Sequence, residues 1–179
     1  MAVHHLAFAT RDLPATDAFY RDVMGFELVK AVAGPTPDGG WAKHVFYDTG
    51  GGSLIAFWEL HDPAIPDTWS PAISTGLGLP AWVNHLAFDA PSLADLDTRK
   101  QRWLDTGHDV MEVDHGFCRS VYTTDPNGIL VEFCTTTAPF TASDADEAAR
   151  ILGDSSPALD PPPPASFHRA TKPAETTTA

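Results

Sequence analysis

Two segments of the chain share one pattern of hydrophobic and polar positions. The tetrapeptide HLAF occurs at His5–Phe8 and again at residues 85–88, an offset of 85 − 5 = 80 residues. The alternation within each copy is typical of a strand with two different faces. A helical pattern follows each copy and ends at a glycine, Gly25 or Gly107, an offset of 107 − 25 = 82. Two pairs of sites with nearly the same spacing indicate a duplicated unit.

Each unit is predicted to contain one helix with its own start signal. Asp12 is a suitable N-cap for the first helix, whose apolar residues recur at helical spacing: Leu13, Phe19, Tyr20, Val23 and Met24. Ser92 and Asp95 form a capping-box pattern at the second helix, whose apolar face consists of Leu93, Leu96, Trp103 and Leu104. Both helices are therefore expected to pack one apolar face onto a sheet.

Three segments with strand-like composition follow each helix. They are residues 26–32, 43–48 and 54–60 in the first unit, and residues 108–113, 119–124 and 129–135 in the second. The Gly-rich residues 50–52 and the sequence Asp-Pro-Asn-Gly at 125–128 predict the turns before the last strand of each unit. The order strand, helix, strand, strand, strand predicts an α+β fold built from two tandem βαβββ modules.

The composition divides the chain into four parts. We assign the first module to residues 1–60, a Pro- and Gly-rich linker to 61–80, the second module to 81–137 and a C-terminal extension to 138–179. Within the extension, Ser143–Leu152 is predicted to form a short helix. Four consecutive prolines and a run of Thr, Ala and Pro lead us to expect that residues 154–179 are disordered or loosely attached.

Charge and composition limit the kinds of binding partner and the cellular location that we expect. The chain has 179 residues and a formal net charge of −13, and an acidic surface disfavours nucleic acid as a partner. No apolar run is long enough to span a membrane, and the N-terminal pattern is not that of a signal peptide, so we expect a cytoplasmic protein. Cys118 and Cys134 are expected to be reduced thiols rather than a disulfide framework.

Three residues are candidates for binding a metal. The alternation places His5 with Ala7, and His85 with Ala87, on one face of their strands, and the small neighbours leave space for a ligand. Glu132 lies between apolar residues of a core-type strand, where a carboxylate is costly unless it is paired or binds a metal. Two imidazoles and one carboxylate suit Fe(II) or a similar divalent ion and leave coordination positions open.

A structural role for these residues is the alternative. A single histidine on a strand face is usually satisfied without a metal, and Glu132 could pair with an arginine such as Arg119. Both histidines, however, occupy the same position of the repeat. A structural role does not predict that coincidence, so the metal interpretation is favoured.

The sequence resembles the vicinal oxygen chelate superfamily, which includes glyoxalases, fosfomycin and bleomycin resistance proteins, methylmalonyl-CoA epimerases and extradiol ring-cleaving dioxygenases. The matching segments are residues 5–8, Asp12-Leu13, FYRDVMGF at 19–26, His85 and DPNG at 125–128 through Glu132. The resemblance implies that the sheets of the two modules curve into an open barrel around one metal. It also implies that His5, His85 and Glu132 are the metal ligands and that the protein forms a homodimer.

The resemblance also bears on a fourth ligand. Glyoxalase I usually adds a carboxylate from the last strand of its first module. Here the equivalent position is Ala56 or Phe57, and Glu59 lies two or three residues further along. This departure disfavours the four-ligand site of a glyoxalase.

A further stretch is similar to the signature segment of extradiol dioxygenases. His115 and Tyr122 precede the DPNG turn and Glu132 in the same order and spacing. The resemblance implies that Tyr122 hydrogen-bonds the substrate or a developing oxyanion, and that His115 orients substrate or oxygen. Such enzymes carry another acid–base histidine on the last strand of the first module, which is missing here. His44 or His61 could substitute for it.

Three functions remain open on these grounds. The first is an Fe(II) extradiol-type dioxygenase acting on a catechol-like, aromatic substrate with vicinal oxygens. The second is a glyoxalase-like lyase, isomerase or thiol transferase that uses Mn, Ni, Zn or Co, which Glu59 as a ligand or base would favour. The third is a metal-free protein that binds a small-molecule drug. Intact His5, His85 and Glu132 argue against the third.

Overall fold

The computed structural model describes residues 3–171, which form two β-sheets with helices packed against them. Sheet A contains β1 (His5–Thr10), β2 (Glu27–Pro35), β3 (Trp41–Gly50) and β4 (Ser53–His61) in the order β1-β4-β3-β2. Sheet B contains β5 (His85–Asp89), β6 (Val110–Asp114), β7 (Cys118–Thr124), β8 (Leu130–Thr136) and β9 (Ala165–His168) in the order β5-β8-β7-β6-β9. The predicted α+β class and the two tandem βαβββ modules are confirmed.

The first helix begins and ends at the predicted residues. α1 (Leu13–Ala18) starts after Asp12, whose side chain accepts a hydrogen bond from the backbone N–H of Ala15 at 2.9 Å. It continues into a π-helical turn at Phe19–Val23, and Gly25 follows with φ +79°. A positive φ suits glycine, which explains why the chain turns from helix to strand at this point.

The other two helices are also capped by side chains. α2 (Leu93–Asp105) starts after Ser92, whose Oγ accepts from the backbone N–H of Asp95 at 3.2 Å. α3 (Ala142–Leu152) starts with a reciprocal capping box between Thr141 and Asp144. None of the α3 side chains is buried, so local capping and ion pairs rather than core packing hold this helix. No helix among residues 3–171 is long and apolar enough to cross a membrane.

One hydrophobic core joins the two modules. The helix-facing sides of both sheets contribute to a single cluster of buried residues. Tyr20 packs on Phe57 of sheet A at a ring distance of 4.6 Å, and Phe26 packs on Phe88 of sheet B at 5.0 Å. Fully burying one such aromatic side chain stabilises the fold by about 1.5–3 kcal/mol. The modules therefore share their main source of stability.

The DPNG turn is a buried structural element. Asp125 accepts hydrogen bonds from the hydroxyl of Tyr20 at 3.1 Å and from the backbone N–H of Ile129 at 2.8 Å. Burial raises the pKa of Asp125, and hydrogen bonds from Asn127 and other donors oppose that rise. The turn thereby fixes the start of β8, the strand that carries Glu132, against the first module.

The C-terminal extension differs from the expected loose tail. Residues 165–168 form β9, which pairs antiparallel with β6 at the outer edge of sheet B. The backbone N–H of Asp114 donates to the carbonyl of Pro164 at 3.0 Å, and His168 Nε2 lies 3.0 Å from Glu112 Oε2. The proline-rich composition suggested disorder. In the structure, the proline segment leads directly into β9, which pairs with the open edge of sheet B. The rest of the predicted tail, residues 172–179, lies outside the described residues.

Candidate functional site

On sheet B, neighbouring strands bring His85, Glu132 and Tyr122 onto the face opposite the core. Residues that pair across strands point to the same side, and Ala87, Glu132, Tyr122 and Met111 form one such row. His85 precedes Ala87 by two residues and shares its face. His85 Nε2 lies 3.2 Å from Glu132 Oε2, and the Glu132 side chain is only 6% exposed. The pair is an imidazole and a carboxylate held at contact distance on a sheet.

Tyr122 and His115 extend this pair. His115 lies in the turn between β6 and β7, and its Nε2 is 3.0 Å from the Tyr122 hydroxyl. Burial raises the pKa of Tyr122 to about 12, and the charge of Glu132 contributes to the rise. The phenol is therefore neutral at physiological pH and can donate a hydrogen bond. The structure brings together four of the five predicted site residues.

A thiol lies on the same face as this pair. Cys134 follows Glu132 on β8, and burial raises the pKa of its thiol to about 11. A protonated thiol is a poor nucleophile. Cys118 and Cys134 are both free, as the sequence predicted.

Sheet A carries a different set of residues at the equivalent positions. The strand register pairs Ala7 with Ala56 and Ala56 with Phe46, where sheet B has Ala87, Glu132 and Tyr122. Ala56 therefore occupies the position that corresponds to Glu132. Sheet A has no carboxylate at this point, in agreement with the expected departure from a four-ligand site.

His5 and His44 are the titratable groups at the centre of this face. Their ring centroids are 6.5 Å apart, and His44 stacks on Trp58 at 3.8 Å with an interplanar angle of 11°. The His44 side chain is buried, at 8% exposure, and its Nε2 has no hydrogen-bond partner within residues 3–171. Burial lowers the pKa of His44, and the neighbouring His5 lowers it further. His44 is thus a neutral imidazole with an unused nitrogen.

Glu59 and His61 point to the opposite side of sheet A. Glu59 is 2.8 Å from the ammonium of Lys43, and His61 Nε2 is 3.3 Å from Glu59. His61 also stacks on Trp41 at 3.8 Å. Neither residue shares the face of His5. The even-numbered residues of β4 lie on that face, and the odd-numbered residues, which include Glu59 and His61, lie on the other. They are not partners of His5 in this chain.

The chain does not assemble all three predicted ligands. His85 and Glu132 are together on sheet B, whereas His5 is on sheet A. No group of three or more His, Cys, Asp or Glu residues within 3–171 is arranged to hold a metal ion. Binding of one metal by His5, His85 and Glu132 therefore stays a prediction. The helix-facing sides of both sheets share the core, so the two polar faces lie outside it.

Each polar face borders its own cavity. The cavity on sheet A has a volume of ≈ 620 Å³ and is mainly apolar, with Val32, Ala42 and Trp58 in its lining. The cavity on sheet B has a volume of ≈ 820 Å³ and is lined by Met111, Tyr122, Leu130 and Phe167 among others. Both volumes suit a small molecule.

Two βαβββ modules, each with one polar face, are the architecture of a class of proteins that includes enzymes and small-molecule-binding proteins. Residues 2–133 match the family model described as the Glyoxalase/Bleomycin resistance protein/Dioxygenase superfamily. The chain belongs to this superfamily. No curated protein sequence matches the chain.

Solved structures share the fold at low sequence identity. A glyoxylase/bleomycin resistance protein/dioxygenase domain from Frankia sp. is 21% identical, with a TM-score of 0.55 over 76% of this chain and 98% of that one. The fosfomycin resistance protein FosX from Listeria monocytogenes is 18% identical, with a TM-score of 0.51 over 80% and 97%. TnmS3, an antibiotic binding protein from Streptomyces sp., is 15% identical, with a TM-score of 0.51 over 76% and 97%. These likenesses support the fold and leave the reaction open.

Sequence reasoning missed one residue that the structure adds to this surface. Phe167 lies on β9, pairs with Met111 and borders the cavity of sheet B. The signal was present as the alternation of Ala165 and Phe167 with Ser166 and His168, directly after four prolines. Four residues are too few for such a pattern to stand out without the neighbouring strand.

Proposed function

We propose that the protein is a metal-dependent enzyme whose site is completed by a second copy of the chain. His5 of one copy would join His85 and Glu132 of the other. The observation that carries this proposal is the His85–Glu132 pair at 3.2 Å. Its imidazole is partly exposed, on a face that within residues 3–171 is one imidazole short of a facial set. The homodimer expected from the sequence would supply that imidazole.

The chemistry of the donors fits a divalent metal, although one chain presents only two of them in one place. Two neutral imidazoles and a carboxylate are ligands suited to Fe(II), and a set of three leaves positions for substrate and oxygen. Glu132 is 4% exposed, and a buried carboxylate with one imidazole partner gains from a cation.

The reaction we propose is extradiol-type ring cleavage of a catechol-like substrate. Iron, when bound, would hold the vicinal oxygens of the substrate and supply the site for oxygen. Tyr122, neutral because burial raises its pKa to about 12, would donate a hydrogen bond to a substrate oxygen. His115, 3.0 Å from the Tyr122 hydroxyl, would orient that phenol and exchange a proton with it.

A second candidate has its own support. The cavity on sheet A is largely apolar, and residues 3–171 of one chain do not bring His5, His85 and Glu132 together. Both features favour a metal-free protein that binds a small aromatic molecule, and the antibiotic binding protein TnmS3 has the same fold. The lyase, isomerase or thiol transferase is less favoured, because Glu59 points away from His5.

Metal identity and stoichiometry decide between these candidates. The protein would be purified without a tag and without oxygen, and its metal content measured by mass spectrometry. About one iron per chain supports the dioxygenase and justifies an oxygen-uptake screen across substituted catechols. Manganese, nickel, zinc or cobalt would favour the lyase or isomerase. Absence of metal would favour the binding protein.

Subunit complementation tests whether the site is shared. His5→Ala and His85→Ala variants each lose one ligand, so each homodimer should lose its metal. After the two variants are unfolded and refolded together, each mixed dimer would contain one intact site. Metal binding should return to about a quarter of the sites, because random mixing makes half of the dimers mixed. If mixing restores nothing while both variants remain folded dimers, a shared site is contradicted.

We also infer a cytoplasmic location. Two free thiols, Cys118 and Cys134, are compatible with a reducing compartment. Cell fractionation followed by immunoblotting would test this, and recovery from the periplasmic or extracellular fraction would contradict it.

A further inference from the structure

The C-terminal strand β9 is attached to sheet B by specific contacts. His168 on the helix-facing side lies 3.0 Å from Glu112, which also accepts from the ammonium of Lys100 at 3.0 Å. Arg169 forms an ion pair with Asp109, and the backbone N–H of Ala170 donates to the same carboxylate at 2.9 Å. These contacts fix the register of β9 on β6 and determine which of its side chains lie on each face of sheet B.

The orientation of β9 places Phe167 on the same face of sheet B as Tyr122 and Glu132. β9 pairs with β6 so that Phe167 lies opposite Met111, which in turn lies opposite Tyr122. The row on this face therefore runs from Glu132 through Tyr122 and Met111 to Phe167. Phe167 is 73% exposed, a cost that a ligand would offset by covering the ring.

The cavity of ≈ 820 Å³ begins at Tyr122 and extends along this row. Tyr122 borders this cavity, and Met111, Leu130 and Phe167 contribute apolar lining. Glu132 pairs with Tyr122 on the neighbouring strand β8. A molecule held by polar atoms at Tyr122 would place the rest of its body against these apolar side chains. The cavity thus connects the Tyr122 hydroxyl with the apolar side chains of Met111 and Phe167.

We propose that Phe167 is a specificity-determining residue that forms the apolar wall of the substrate site. It would contact a bulky apolar substituent of a substrate whose polar atoms lie near the Tyr122 hydroxyl. This inference rests on the proposed function for the polar end only. The match to the superfamily covers residues 2–133, and β9 lies outside it.

Binding measurements on matched variants test this role. Phe167→Ala removes the ring, Phe167→Leu keeps an apolar side chain, and Ser166→Ala changes the neighbour on the opposite face of β9. Titration calorimetry would compare catechol with 4-tert-butylcatechol on iron-loaded protein without oxygen. The same titration with 4-tert-butylphenol on metal-free protein reports on the apolar wall alone, because this probe lacks the vicinal oxygens.

We expect Phe167→Ala to weaken both tert-butyl probes about tenfold, about 1.4 kcal/mol, while catechol affinity and metal content stay unchanged. Phe167→Leu should recover most of the loss, and Ser166→Ala should match the unmodified protein. Equal losses for Phe167→Ala and Ser166→Ala, or no loss, would overturn the role of Phe167. A change in oligomeric state in place of a change in affinity would also overturn it, because Phe167 would then pack against a second copy.

The two proposals can fail separately. If the protein holds no metal and the effect on 4-tert-butylphenol persists, the proposed enzyme activity fails and the apolar wall stands. If iron binds stoichiometrically and Phe167→Ala leaves both tert-butyl probes unchanged, the apolar wall fails and the metal proposal stands.

Discussion

The polar faces of the two sheets have the same layout and different chemistry. On sheet B, the row Ala87, Glu132 and Tyr122 combines a buried carboxylate with a neutral phenol. On sheet A, the corresponding row of Ala7, Ala56 and Phe46 is entirely apolar. The two sheets retain one imidazole each at the first strand, His5 and His85.

The difference shows how a duplicated module can divide its tasks. Sheet B concentrates the acid, the phenol and His115, whereas sheet A offers His5, the unpartnered His44 and an apolar cavity. A polar half and an apolar half facing each other would enclose a small molecule with two different ends. In the proposed shared site, each half would supply the groups that the other lacks.

The largest expected effect comes from removing the carboxylate. Glu132→Gln should abolish stoichiometric metal binding, because the amide keeps the shape and loses the negative charge. Glu59→Gln is the matched control, since Glu59 lies on the other side of sheet A, and it should retain the metal. Metal analysis after dialysis checks both variants. Equal metal content in the two variants would contradict a metal-binding role for sheet B that sheet A lacks.

The shared core predicts the next effect. Phe26→Ala should lower the free energy of unfolding by about 3–5 kcal/mol, because Phe26 is buried against Phe88 and Phe133 of the other module. Phe140→Ala, at an exposed position, should change it by no more than about 0.5 kcal/mol. Urea unfolding followed by tryptophan fluorescence should show one transition. Two separate transitions would mean that the modules unfold independently.

Tyr122→Phe sharpens the contrast between the two rows by making sheet B resemble sheet A at one position. Turnover of a catechol substrate should fall about a hundredfold, because a positioned proton donor is lost. Metal content should stay the same. Tyr47→Phe is the control, because Tyr47 donates to Asp17 on the helix-facing side at 2.9 Å. Unchanged turnover in Tyr122→Phe would argue against a role for this phenol.

The smallest expected effect is on the ionisation of the three tyrosines with pH. Burial raises the pKa of Tyr20, Tyr47 and Tyr122, the last to about 12. The folded chain should therefore show little tyrosinate absorbance at about pH 10, whereas the unfolded chain titrates near this pH. Raised folded pKa values stabilise the fold below about pH 10, and this contribution is lost as the pH rises towards 12. A folded-state titration at pH 10 would show that the tyrosines are exposed.

Much of the fold could be read from local sequence patterns. The repeat at His5 and His85 predicted two modules, and the caps at Asp12 and Ser92 located the two main helices, because capping depends on neighbours within four residues. The C-terminal strand was missed because four residues carry little periodicity. Its pairing with β6 depends on Asp109 and Glu112, more than 50 residues away.

The sequence by itself determined which side chains share a face of each strand, since alternation is a local property of the backbone. It therefore grouped Glu132 with Cys134 and separated both from the core. Only the tertiary structure decided that Ala56 corresponds to Glu132, that His5 lies on a different sheet from His85, and that Phe167 joins the row of Tyr122. Register and sheet packing arise from contacts between distant segments, and a one-residue slip would reverse every face.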